Sequence, residues 1–174
     1  LTAAVKLNDK FNLRFNTTLS QNKIVEFTEY IDHWDLPYEA FTESHENTDI
    51  AFSPSVIGGS QLIFTPFSSL EKGKLDLALV SKYVGEQYLD NTSSEYGKLE
   101  DYFVHDFRAS YTVKTKLFKE VVISSWVRNL LNQNYISNAW IYRFQAGSYA
   151  TSDPYVNTEN QNEGKYNMIG AYNH

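Results

Sequence analysis

The sequence predicts an all-β fold, an antiparallel up-and-down meander of about six long strands. Three observations predict it. Apolar and polar residues alternate with a period of two over long segments, the mark of a strand with two different faces. Those segments exceed the five or six residues usual for a soluble strand and match the nine to eleven that a tilted strand needs to cross a bilayer. The connections between them are alternately short and long.

Taken in order, Leu1, Ala3, Val5 and Leu7 alternate with Thr2, Ala4 and Lys6, as at the end of a strand. Asn8-Asp9-Lys10 is a tight polar turn. Phe11, Leu13, Phe15, Thr17 and Leu19 then share one face of a strand continuing to about Val25. Glu26 to Ser53 holds eight acids (Glu26, Glu29, Asp32, Asp35, Glu39, Glu43, Glu46 and Asp49) and no Lys or Arg, and it reads as a long loop. A structureless loop of that size is rare in a compact domain and tends to be functional. Ser55 to Phe67 is the next strand, which Gly58-Gly59 weakens or marks with a bulge. After a turn at 68–73, Lys74 to Asp90 is the longest strand. A polar loop at 91–101 leads to a strand from Tyr102 to Lys114, and a turn at 115–120 to a strand from Val121 to Tyr135. That strand resumes over Ala139 to Phe144. Residues 145–165 read as a long loop, and no closing strand is evident before His174.

The short connections therefore fall at one end of the sheet and the longer ones at the other. Outer-membrane barrels show this asymmetry, while a soluble barrel or meander has less reason to be one-sided. Composition agrees with this reading without requiring it. Aromatic residues make up 16% of the chain and 13 of them are Tyr. Tyr and Trp suit the level where an apolar layer meets water. Mean hydropathy is negative, and no run approaches the ~18 apolar residues of a membrane helix, but a barrel strand is only half apolar. Cysteine is absent, which removes disulfides and thiolate metal sites. The net charge of −6 argues against a general nucleic-acid binder. No signal peptide opens the chain, and Leu1 lies inside an alternating run, as expected of a piece of something longer.

With the strands placed, several words carry a resemblance. Tyr83 to Thr92 (YVGEQYLDNT), Leu99 to Tyr111 (LEDYFVHDFRASY), Val127 to Tyr135 (VRNLLNQNY) and Asn47 to Pro54 (NTDIAFSP) occur in an order and spacing that resemble the C-terminal barrel of TonB-dependent outer-membrane receptors of the Bacteroidetes type. The resemblance covers most of the chain. It implies a plugged barrel of about 22 strands in the bacterial outer membrane. Such a barrel imports a scarce nutrient of the iron-siderophore, haem or cobalamin class on energy supplied by TonB. It also implies that the chain is an incomplete barrel of about six strands, with the plug domain, the TonB box and the final strand outside it. Its partners would be the rest of the barrel and plug, the TonB complex through the missing N-terminal part, membrane lipid and lipopolysaccharide. Open strand edges invite self-association.

On that reading Phe11, Leu13, Phe15, Leu19, Leu75, Leu77, Leu79, Phe107 and Tyr111 face lipid. Arg14, Lys82, Glu86, Asp106, Arg108 and Arg128 share the polar parity and face the lumen, since a lipid-facing Arg or Lys near the midplane costs about 2–4 kcal/mol. Tyr30, Trp34 and Tyr38 in the acidic loop are candidates to close over a ligand. No catalytic residue, cofactor or metal is expected. His33, His45, His105 and His174 lack ligand spacing, and His105 reads as packed or interfacial. The acids lie about three apart, without an EF-hand pattern, so a solvated loop face is favoured over a calcium site. No nucleophile elbow, P-loop or CxxC is present. The alternative is a soluble, non-catalytic β-rich binding module, for example one that presents aromatics to a glycan.

Overall fold

The protein is all-β in a computed structural model that describes residues 1–33, 39–69 and 73–145 in full and 167–173 as backbone. The strands are β1 (Thr2–Lys6), β2 (Phe11–Leu19), β3 (Lys23–His33), β4 (Phe41–Asp49), β5 (Val56–Ser69), β6 (Gly73–Val84), β7 (Gln87–Tyr88), β8 (Lys98–Leu99), β9 (Tyr102–Val113), β10 (Val121–Val127), β11 (Asn138–Gln145) and β12 (Asn167–Asn173). A single 3-10 turn, Glu95–Gly97, is the sole helical element among the described residues. The chain divides into two compact units, one of residues 1–20, 56–85 and 101–134, the other of 21–55, 86–100 and 135–174.

The first unit is one six-stranded sheet in the order β1-β2-β5-β6-β9-β10. Every neighbouring pair is antiparallel. Residues opposite one another across such a ladder share a face, so the register fixes which side chains go together. Leu13, Leu62, Leu79, Phe107 and Val127 form one cross-strand row. Phe11, Phe64, Leu77 and Ala109 form the next, with the Phe11 and Phe64 rings stacked at 4.6 Å. The β1–β2 turn is an Asx turn: Asn8 Oδ1 accepts from the Lys10 and Phe11 amides at 2.9 Å. The bulge in β5 falls between Phe64 and Phe67, where Pro66 sits, and not at Gly58-Gly59, which lie in regular ladder. Proline has no N–H to give the ladder, so a bulge accommodates it. The bulge returns Phe67 to the face of Leu75.

Strands β2, β6 and β10 run one way and β1, β5 and β9 the other. The three short connections, β1–β2, β5–β6 and β9–β10, therefore share one end of this sheet. The chain leaves at the opposite end after Leu19, Val84 and Val127, and re-enters there at Val56 and Tyr102. The sheet is open, with β1 and β10 as its edges, and no barrel closes among the described residues.

The second unit contains the sheet β12-β11-β3-β4 and the small ladder β7-β8. Strands β3 and β4 form an antiparallel hairpin, and β11 meets β3 in parallel at Phe144 and Asp32. Its apolar centres are Ile31 with Phe41 and Ile141, and Leu89, Leu99 and Ala139 with Ile136 and Ile141.

Five sequence expectations are corrected. The stretch 26–53 is not a loop but largely the hairpin β3–β4. Its alternation is disguised because the buried parity carries Glu29 beside Ile31. The strand from Phe11 stops at Leu19. The strand from Lys74 stops at Val84, because Gly85 brings its backbone against that of Val56 and its amide donates to the Val56 carbonyl at 2.8 Å. The strand from Val121 stops at Val127, since Asn129 (φ 48°) and Asn132 (φ 51°) adopt left-handed backbone that a strand does not accept. Asn129 seals that break by exchanging hydrogen bonds with the backbone of Gln133. The C-terminal stretch does form a strand, β12, paired with β11.

Candidate functional site

Two features of the structure can carry function, the two faces of the six-stranded sheet and a cluster of charged side chains in the second unit. All nine residues expected to face lipid lie on one face of the six-stranded sheet. Phe11, Leu13, Phe15 and Leu19 of β2 are brought by the register onto the side of Leu75, Leu77 and Leu79 of β6 and of Phe107 and Tyr111 of β9. Exposure along this face is substantial, with Phe67, Leu79, Phe103, Ile123 and Val127 all exposed. Its tyrosines, Tyr111 and Tyr83, lie near its two ends, with phenylalanines at the levels between. Tyr111 meets Phe67 edge to face near the short-turn end, and Tyr83 meets Phe103 in the same way near the other. One polar row interrupts the face, Ser60, Ser81 and His105. There Ser81 Oγ and His105 Nδ1 are 2.8 Å apart, so His105 is packed within the sheet.

On the opposite face the register places Arg14, Lys82, Asp106 and Arg108. Arg14 and Lys82 line a depression of about 530 Å³ beside Gly59, together with Asn16 and Gln61. Lys82 Nζ also lies 5.9 Å from the centroid of the Tyr102 ring. Asp106 accepts from Trp126 Nε1 at 3.2 Å and from the Asn129 amide at 2.8 Å, so it staples the end of β10. For two of the expected lumen residues the strand parity does not apply. Glu86 lies beyond the end of β6, and Arg128 lies beyond β10 with its guanidinium over the Trp126 ring at 5.3 Å. Strand parity assigns neither of them a face.

Tyr30 lies in β3, exposed, one position from buried Glu29 and hence on the other face of its strand. Trp34 and Tyr38 lie outside the described residues.

The second unit holds a constellation that no spacing in the sequence announces. Glu29 and Glu43 are direct cross-strand partners in the hairpin, and His45 lies two positions along β4 on the same face. Glu29 Oε2 is 2.9 Å from His45 Nε2, and Glu29 Oε1 accepts from Arg143 Nη1 at 3.0 Å. Arg143 also donates to Asp90 and, at 3.2 Å, to Thr92 Oγ1. Its side chain is only 4% exposed. Burial works against the guanidinium charge, but the Asp90 and Glu29 carboxylates outweigh that and hold its pKa above the ordinary value.

The Asp90 turn is built locally. Thr92 donates from both N and Oγ1 to Asp90 Oδ1, at 3.0 and 2.6 Å. It is also tied to the stretch 49–52. The Asp49 amide donates to Ser93 Oγ at 2.7 Å, the Ala51 amide to Asn91 Oδ1 at 2.8 Å, and the Phe52 amide to the Tyr88 carbonyl at 2.9 Å. YLDNT and NTDIAFSP, two of the words quoted above, thus interlock. Sequence reasoning passed over Arg143, Asp90 and Thr92. One signal was present, an arginine inside the otherwise apolar run AWIYRF.

Comparison with protein-family models, curated proteins and solved structures yields no match to this chain.

Proposed function

We propose that this chain is a segment of the β-barrel of a TonB-dependent outer-membrane receptor, and that it takes part in importing a scarce nutrient. The strands of the six-stranded sheet span the bilayer. One observation carries the reading: nine residues chosen by parity alone share one face of a single sheet across β2, β6 and β9.

Dimensions support it. Leu75, opposite Tyr111, and Tyr83, opposite Phe103, are eight positions apart on β6, or roughly 27 Å along a strand at ~3.4 Å per residue. A barrel tilt of ~40° reduces this to roughly 21 Å, close to the ~25 Å apolar band between the aromatic girdles of outer-membrane barrels. The one-sided connections support it as well. Open edges at β1 and β10 call for neighbouring strands, which the rest of a barrel supplies. Arg14, Lys82, Asp106 and Arg108 then face the lumen and plug, and the polypeptide does no chemistry of its own.

The test is depth-dependent quenching in the parent receptor reconstituted in bilayers. A fluorophore at position 79 should be quenched by brominated acyl chains, and one at position 80, on the opposite face, should not. Equal quenching at both positions, or none at either, refutes the reading, and none at either favours a water-exposed binding module.

A further inference from the structure

We infer that Glu29, Glu43 and His45 form a three-ligand site for a divalent transition metal, with zinc the best-fitting ion. Hairpin geometry makes the site. Glu29 and Glu43 face each other across the ladder, and His45 joins them from the same face. One ligand atom from each lies within 4.8 Å of the other two. Glu29 Oε2 and His45 Nε2, at 2.9 Å, already have nearly the separation of two ligands on one ion. Zinc holds such atoms at about 2.0–2.2 Å, and small rotations of the Glu43 side chain complete the set.

Four further features fit a cation there. Like charges directly opposed on a sheet are destabilising, and Glu29 and Glu43 are so opposed. The carboxylates of Glu29, Glu43 and Asp90 against the single guanidinium of Arg143 leave these four residues two negative charges in excess, the complement of a divalent ion. Arg143 also occupies Glu29 Oε1 and leaves Oε2 to the metal. A ligating carboxylate held by an outer-shell hydrogen bond is the usual support of a metal centre. His45 and Glu43 are partly exposed, which gives the ion a way in.

The donor set selects the class. An imidazole with two carboxylates suits zinc and its neighbours, whereas magnesium and calcium take oxygen alone. Three protein ligands leave a fourth position for water or another ligand. Binding breaks the His45–Glu29 hydrogen bond and requires a neutral imidazole. The site does not depend on the membrane reading, and either can fail without the other.

Zinc titration of the full chain by calorimetry tests the inference. One equivalent should bind, and His45→Gln and Glu43→Gln should each weaken binding by at least the roughly 10- to 100-fold typical of outer-shell losses. His33→Gln should bind as the parent does. Cobalt on the unmutated chain should give the visible absorption of a low-symmetry nitrogen–oxygen site, which needs no variant to fold. Millimolar magnesium or calcium should leave zinc in place. The inference is overturned if zinc does not bind, if folded H45Q and E43Q bind as tightly as the parent, if cobalt stays hexa-aquo in its spectrum, or if calcium displaces zinc.

Discussion

Arg143 Nη1 donates to Glu29 Oε1 at 3.0 Å, joining residues 114 positions apart in the chain. The same nitrogen donates to Asp90. One buried cation thus ties β11 to the β3–β4 hairpin and to the turn after β7. Removing one partner of a buried ion pair costs far more than the pair contributes, because the other charge is left uncompensated.

Arg143→Met is therefore expected to destabilise the second unit by about 3–5 kcal/mol. Denaturant titration measures it. Adding Glu29→Gln and Asp90→Asn to the same chain should recover part of the loss, because the stranded charges go with them. Recovery of nothing would mean that Arg143 acts by packing alone.

Two glycines separate backbone need from coincidence. Gly73 has φ +75°, and a Cβ there would collide with the Thr112 carbonyl oxygen. Gly73→Ala should cost about 1–3 kcal/mol, the usual size of left-handed strain, before any cost of displacing β9. At Gly58 a Cβ meets nothing closer than 3.9 Å. Gly58→Ala should be neutral or slightly stabilising, since it narrows the unfolded ensemble. Thermal melts of the two variants decide.

The apolar face makes its own prediction. Leu79, 37% exposed, sits in the row of Leu13, Leu62 and Phe107. If that row faces lipid near the midplane, Leu79→Arg costs about 2–4 kcal/mol and lowers outer-membrane assembly of the parent receptor. Gln61→Arg, on the other face, should assemble normally. Folding titrations in lipid vesicles give the free-energy difference. Equal tolerance of both substitutions would argue for water on both faces.

The Glu95–Lys98 pair yields a pH signature. Their contact is 2.6 Å, and the hydrogen bond to Lys98 holds the Glu95 carboxyl below its ordinary value, while the one to Glu95 holds Lys98 above its own. The Glu95 contribution is present above the unfolded carboxylate pKa and is lost as pH falls through the lowered folded one. The Lys98 contribution is present below the unfolded lysine pKa and is lost as pH rises through the raised folded one. Both act at neutral pH, and the exposed pair is weak. Carboxyl carbon NMR should show Glu95 titrating below a free glutamate, and Lys98→Met should return it to the ordinary range.

The faces of the six-stranded sheet were legible in the sequence because a period of two needs only neighbours in the chain. Phe11, Leu13 and Phe15, or Leu75, Leu77 and Leu79, announce their side without help. The Asn8 turn was legible for the same reason, since its hydrogen bonds are local. Where strands stop was not. Val84 and Val127 end theirs because Gly85 is drawn to Val56 and Asn129 turns left-handed, and alternation counts neither event.

The acidic hairpin was illegible for a further reason. Glu29 is buried only because Arg143 arrives from β11 to neutralise it, so a strand's inward face looks polar until its distant partner is known. The sequence by itself determined an all-β chain with two-faced strands and one-sided connections, all consequences of local periodicity. The tertiary structure alone decided the register that aligns the apolar rows and the meeting of Glu29, Glu43, His45, Asp90 and Arg143, because cross-strand pairing and charge compensation act between residues far apart in the chain.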